Sequence, residues 1–406
     1  MLILFPCLSL WAPLWGADFG LILDQTAGYG GPDTSEGEDA SEGSASEGSG
    51  AFDYAGALIP RFSVMGETGG FYISASVKAD KKSDITYVPE LLRTEFSWDF
   101  DSGEFRLGRM PYVDPLGIIA NGLFDGAYVS LDMGEGSASL GAWYTGLLYN
   151  ERANITMSAA DTELYNIPVD YENFTDTYFA PRRIVAALGW RHLSLAELMQ
   201  VQFTFLDQID LAKENKLNSQ YLAAKISVPV NSLVLSLGGC LEMIEDANDE
   251  MKMALEGELG IAWMFTESRL SLSGRYSSGV AEDGSLTAFK PLSTVYQGEI
   301  LKAKLSGLSV ASLDYLSRLH RTLSAGLTAS CFMRSDLGTY NGYPITADSG
   351  DGYILGTELF GRLMWSPVSD IQINLGAGSF LPSLGDTAPD ADSRWRVELN
   401  LILAFF

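Results

Sequence analysis

From Ser393 to Phe406 the chain sets Trp395, Val397, Leu399, Leu401, Leu403 and Phe405 at alternate positions, with Arg394, Arg396, Glu398 and Asn400 between them. Successive side chains of a strand point to opposite sides, so this segment is a strand with one oily face and one wet face. The same alternation recurs along most of the chain. A sheet closed on itself in a bilayer needs this pattern, because lipid requires apolar side chains outside while a water-filled interior accepts charge.

Composition narrows the class further. Of 406 residues 47% are hydrophobic, yet no run approaches the roughly 18 apolar residues of a membrane-spanning helix. Gly 42, Phe 20, Tyr 18 and Trp 8 suit curved strands and interfacial aromatic girdles. The formal charge of −26 is concentrated in five acidic stretches, 30–51, 151–181, 245–250, 335–352 and 382–392, which contain one basic residue, Arg152. Outside them acids and bases nearly balance. Acid-rich stretches with Ser and Gly, such as Ser35 to Gly50, are expected to be solvated and mobile, and their charge argues against a nucleic-acid partner.

Residues 1–17 read as an export signal, a short apolar stretch from Leu2 to Trp11 ending in Gly16-Ala17, although its basic start is missing. Cys7 falls inside it. Of the remaining cysteines, alternation puts Cys240 on a wet face and Cys331 on an oily one, so they are not expected to pair.

Residues 18–406 then form an all-β, transmembrane, antiparallel up-and-down barrel of about 18 strands without a second domain. Thirteen strands are read between 18 and 280, including 137–150 and 268–280, and four more at 321–334, 353–366, 369–381 and 393–406. The stretch 294–318 is ambiguous. Split in two, it would put the loop 335–352 on the short-turn side; a single long, bulged strand keeps every long loop on one side, and parity therefore favours 18. Loops 30–51, 151–181 and 335–352 are accordingly extracellular. Trp98, Phe100, Trp263, Phe265, Trp365 and Phe405 lie near short-turn ends, where a girdle belongs.

The inventory for catalysis is thin. Neither His192 nor His320 has a nucleophile or carboxylate at catalytic spacing, and no common metal or nucleotide motif occurs, so no enzyme activity and no cofactor are expected. The wet face is more informative. Alternation assigns to the lumen Arg61, Lys78, Arg93, Glu95, Asp99, Arg106, Arg183, Arg191, Lys225, Glu256, Glu258, Arg275, Glu358, Arg362, Gln372, Asn374, Arg394, Arg396 and Glu398. Guanidiniums stay charged and present planar forks to carboxylates, so a ladder of them suits an anionic solute. The competing reading is that they pair with Glu95, Glu358 and Glu398 to stiffen the wall.

One connection differs from the acidic loops. Leu107 to Ala127 carries two prolines, several glycines and apolar residues, and is expected to fold inward. Arg109 and Asp125 stand opposite each other at its base, and a cross-strand ion pair is expected there.

These residues resemble the alginate-export family of outer-membrane porins. The resemblance rests on Gly108-Arg109, Phe124-Asp-Gly-Ala127, Leu355-Gly-Thr-Glu358 and Leu375-Gly-Ala-Gly-Ser-Phe-Leu-Pro382. It implies an 18-stranded barrel whose arginine-bearing lumen, Arg109 included, conducts anions or an acidic polysaccharide. Met110 stands where the family usually has glutamine, and Ser383 where glycine usually follows the proline. Phe405 rather than Phe406 holds the oily register at the terminus. The expected function is a porin-like outer-membrane channel for small hydrophilic or anionic solutes, its lipid-facing belt in the outer membrane and its last strand recognised by the barrel-assembly machinery. The alternative is a surface-exposed adhesin or receptor acting through the acidic loops. The sequence leaves the oligomeric state open.

Overall fold

The computed structural model describes residues 16–31, 50–81, 85–196, 198–245, 250–346 and 348–406. Its strands are β1 (Gly16–Gly31), β2 (Ala51–Gly66), β3 (Gly69–Lys81), β4 (Ile85–Phe100), β5 (Gly103–Val113), β6 (Asn121–Met133), β7 (Gly136–Tyr144), β8 (Arg183–Leu195) and β9 (Met199–Asp210). They continue as β10 (Asn218–Val230), β11 (Leu233–Glu245), β12 (Met251–Met264), β13 (Ser268–Ser277), β14 (Leu308–His320), β15 (Leu323–Arg334), β16 (Ile354–Val368), β17 (Ile371–Leu381) and β18 (Arg394–Phe405). Each pairs antiparallel with its chain neighbours, and β18 returns to β1, where Leu21 meets Phe405 and Gly31 meets Trp395. The result is one closed sheet of 18 strands. Closure satisfies every edge, which a bilayer demands because its core offers no water to unpaired backbone groups.

Side-chain parity follows the closure. Leu237, Leu259, Leu313, Leu327, Leu359 and Leu399 project outward and are exposed, a surface that only lipid would stabilise. Trp98, Trp263, Phe265, Trp365 and Phe405 form an outer band near the short turns, with Trp263 stacked on Phe265 at 4.8 Å. Short turns such as 101–102, 134–135, 231–232 and 321–322 lie at one end, and every longer connection leaves from the other. Among the described residues no helix is long and apolar enough to cross a membrane.

Three expectations need correction. The ambiguous stretch 294–318 supplies one strand, but only from Leu308; residues 278–307 form a long loop folded into the barrel, and the bulge lies at the far end, between Arg318 and His320. Similarly, β7 ends at Tyr144 and β13 at Ser277. The acidic loop 151–181 is not a solvated tether. Within the connection 145–182 it forms α1 (Asn150–Ala153), α2 (Ala159–Asn166) and α3 (Phe174–Tyr178), with Ser158 and Asp161 closing a capping box on α2. Its apolar residues outweigh its charge because the barrel gives them somewhere to pack. Residues 32–49 of the first acidic loop and 1–15 of the export-signal stretch lie outside the described residues; Gly16 and Ala17 already belong to β1, opposite Met65 and Val64.

The interior is therefore partly filled. Ile118 and Ile119 from the loop 114–120, Leu148, Ile155 and Met157 from 145–182, and Phe289, Leu292 and Leu305 from 278–307 are buried together against Phe124, Trp143, Val185, Leu206 and Tyr221 of the wall. Each such side chain contributes about 1.5–3 kcal/mol by leaving water. Polar links join the three loops: Ser293 N–H donates to Ile119 O at 3.0 Å, Thr294 N–H to Asn154 O at 2.8 Å, and Asn154 Nδ2 to Thr294 O at 2.7 Å.

Candidate functional site

The lumen is the candidate site, and it divides into a packed part and a wet part. In the packed part, Arg109 places Nε and Nη2 on the two carboxylate oxygens of Asp125 at 2.8 and 2.7 Å, and donates further to Leu91 O and Leu147 O. Gly108 before it has φ +114°, and a Cβ there would stand 2.0 Å from Thr94 O, so the glycine of this dipeptide is a backbone requirement. The loop that follows turns on Asp114, whose carboxylate accepts the N–H groups of Leu116, Gly117, Ile119 and Ala120 at 2.8–3.1 Å.

Arg183 is wholly buried. It reaches Asp161 of α2 at 2.7 Å, Asp210 of β9 at 3.3 Å and Leu217 O at 3.1 Å. Glu358 of β16 accepts three consecutive loop N–H groups, from Glu299, Ile300 and Leu301, at 2.7–3.0 Å. The assignment of Arg109, Arg183 and Glu358 to the water-lined pore is thus corrected: all three point inward but lie buried beneath loops, held there by charge-assisted bonds. Cys240 shares this fate, on the inward face but packed, while Cys331 faces outward; both thiols are free.

The loop 145–182 also spans to the far wall. Lys78 of β3 meets Glu151 at 2.9 Å, and Arg152 meets Glu90 of β4 at 2.9 Å. Alternation through β4 would turn Glu90 toward lipid, but the register shifts between Ser74 and Ala75 on β3, leaving Leu92 unpaired and Glu90 inward.

The remaining arginines stay in the wet part. Arg93 pairs with Glu95 at 2.8 Å; Arg106 lies 3.6 Å from Glu104 with its guanidinium 4.5 Å over the Tyr128 ring. Arg275 contacts Glu258 at 2.7 Å, shared with Lys225 at 2.9 Å, and lies 3.5 Å from Glu256. Arg362 stands 3.5 Å from Asp314, and Arg396 bridges Asp53 at 2.7 Å and Glu398 at 3.0 Å. Arg394 lies over Tyr343 and Arg61 over Phe406. Arg191 is exposed to the lumen with no described carboxylate within ion-pair distance. Arg362 and Glu398 each keep 41% of their side-chain surface accessible inside the closed wall.

Sequence reading missed Asp53, Glu90, Asp161, Asp210 and Asp314 as partners. Asp314 had the right parity but lay in the ambiguous stretch; Asp161 carried no periodic signal at all. His192 and His320 accept local bonds from Ser194 and Thr322 backbone N–H groups near short turns, the Thr322 hydroxyl also lies 3.2 Å from His320 Nδ1, and no carboxylate is bonded to either ring among the described residues. No group of three or more metal-ligating side chains occurs among the described residues.

No family model matches the chain, and no curated protein matches it. Solved structures do. OccK2 (OpdF) of Pseudomonas aeruginosa, crystallised in complex with glucuronate, aligns with a TM-score of 0.60 at 11% identity over 96% of this chain and 98% of that one. OccK8 (OprE) of the same organism gives 0.61 at 9%, covering 96% and 98%. The outer membrane protein OpdK, also from P. aeruginosa, gives 0.60 at 12%, covering 96% and 99%. At nearly full length on both sides, the chain therefore has the fold of these outer-membrane barrels.

Proposed function

We propose that this chain is a porin-like outer-membrane channel for the passive passage of small hydrophilic solutes, anionic ones among them. The observation that carries this reading is the accessibility of charge inside a closed wall: Arg362 and Glu398 remain 41% exposed, and Arg191 exposed, although the loops fill much of the interior. Charges in a dry core would be buried and fully paired, whereas wetted ones mark an aqueous path. The arginines Arg61, Arg93, Arg106, Arg191, Arg275, Arg362, Arg394 and Arg396 act as its lining. Barrels of 16 to 18 strands are wide enough to hold such a path.

The solute class rests on two supports. A structural neighbour is described with glucuronate bound, and the resemblance to alginate-export porins at Gly108-Arg109 and Phe124 to Ala127 also points to acidic saccharides. β18, closing the seam on β1 with Phe405 outward, is the segment we assign to the assembly machinery. Swelling of proteoliposomes tests the proposal. Folded protein should admit both mannitol and glucuronate, and the double change Arg362→Gln with Arg396→Gln should slow glucuronate more than mannitol; folded protein that admits neither would refute a pore.

A further inference from the structure

The packed loops leave a cavity of about 420 Å³ against β5–β9, on the short-turn side of the loop 114–120. Its two cationic side chains, Arg106 and Arg191, flank a floor made by the two strands between them, which present Tyr128 and Ser130 from β6 and Ser137 and Ser139 from β7. The register sets these groups in rows: Arg106 opposite Tyr128, Ser130 opposite Ser139, Ser137 opposite Arg191. Three strand spacings across and a four-residue offset along β8 separate the two arginine backbones, about 20 Å before side chains reach inward. The cavity between them has room for a single-ring solute within reach of one guanidinium or the other.

Both guanidiniums have donors to spare. Arg106 Nε is buried without a hydrogen-bond partner, since Glu104 stands 3.6 Å away, and Arg191 has no described carboxylate within ion-pair distance. The cavity's other carboxylate, Asp114, already receives four backbone N–H groups from its own loop. Gly141, opposite Tyr128, makes room for the Trp143 indole, since a Cβ there would meet its ring at 2.0 Å, and the indole packs tilted against Tyr112, 4.5 Å away, at the cavity's edge. The site faces the opposite wall from Arg362 on β16 and Arg396 on β18.

The geometry points to a binding subsite for a small polyhydroxylated monoanion, a sugar acid, whose carboxylate is clamped by Arg106 or Arg191 and whose hydroxyls exchange hydrogen bonds with Ser130, Ser137 and Ser139. Guanidinium forks match carboxylates, and serine hydroxyls both donate and accept, so together they select a charged polyol over a neutral one. A volume of this size lies within the ~300–1,000 Å³ range of small-molecule sites. The subsite deepens the proposed channel function and rests on it for its biological use, though its occupancy does not require ion flow.

Equilibrium titration of the detergent-refolded full chain with sodium glucuronate, with mannitol as the neutral control, tests it. The wild type should bind glucuronate and ignore mannitol. Arg106→Gln with Arg191→Gln should weaken glucuronate about tenfold or more, as expected for losing charge-assisted hydrogen bonds, while Arg321→Gln, exposed in the short turn 321–322, should leave it unchanged. Ser137→Ala with Ser139→Ala, which removes no charge, should weaken it less and serves if the arginine variants fail to fold. Absence of binding by the wild type, or equal affinity in both the Arg106/Arg191 and Ser137/Ser139 variants, overturns the subsite. A conducting barrel that binds nothing would sink the subsite alone, and a silent barrel that binds glucuronate at these residues would sink the channel alone.

Discussion

Arg109 on β5 and Asp125 on β6 close on each other as a two-pronged pair, 2.8 and 2.7 Å, at the base of the loop that enters the barrel. Because the guanidinium is only 5% exposed, removing its partner strands a charge away from water. Asp125→Ala should cost about 3–5 kcal/mol, read as a lower midpoint in urea unfolding, and should alter single-channel conductance by loosening the 114–120 loop. Unchanged conductance and unchanged stability would show that the pair does not hold the loop.

Arg183 serves two carboxylates at once. Arg183→Met should destabilise the barrel by about 3–5 kcal/mol by leaving Asp161 and Asp210 unneutralised, and adding Asp161→Asn and Asp210→Asn should restore most of it. Thermal unfolding of the single and triple variants separates this from a simple packing defect, which the added changes would not repair.

Glu358 holds the inner loop through backbone groups alone. Glu358→Gln keeps one acceptor but loses the charge, so the amides of Glu299, Ile300 and Leu301 should exchange hydrogen roughly 10- to 100-fold faster, matching the ~1.5–3 kcal/mol of such bonds. Exchange unchanged at these three positions would assign the loop's order to its apolar contacts.

Asp336 ties the loop after β15 to Val280 of the inward loop. Burial alone would push its carboxyl up, but the Thr339 hydroxyl and the N–H groups of Thr339, Gly338 and Val280 outweigh that and hold it below its ordinary value. A folded-state value below the unfolded one adds stability at neutral pH that fades as pH falls through it, here below about pH 4. Proteolysis at 335–340, by an acid-active protease at about pH 3 and a neutral protease at pH 7, should be seen only at the acid pH in the wild type, whereas Asp336→Asn should be cut at both.

Alternation made the wall legible because lipid and lumen impose opposite demands on neighbouring residues, and Leu327 and Cys331 or Arg394 and Arg396 obey them. Arg109 and Asp125 were legible as a pair because a hairpin fixes which residues face each other. The inward loop 278–307 was not, since Phe289, Leu292, Leu301 and Leu305 are apolar for a protein core, and core and lipid leave the same mark on a sequence. A one-residue register shift hid Glu90, and the partnership of Arg183 with Asp161 depends on a loop returning from 22 residues away, which no period records.

Recording from the refolded barrel in planar bilayers under a salt gradient tests most directly whether water and ions pass beside the packed loops. Discrete openings are expected, with a reversal potential that shifts toward cations when Arg362 and Arg396 are changed to glutamine. A folded, heat-modifiable barrel that stays electrically silent would contradict an aqueous path through this lumen.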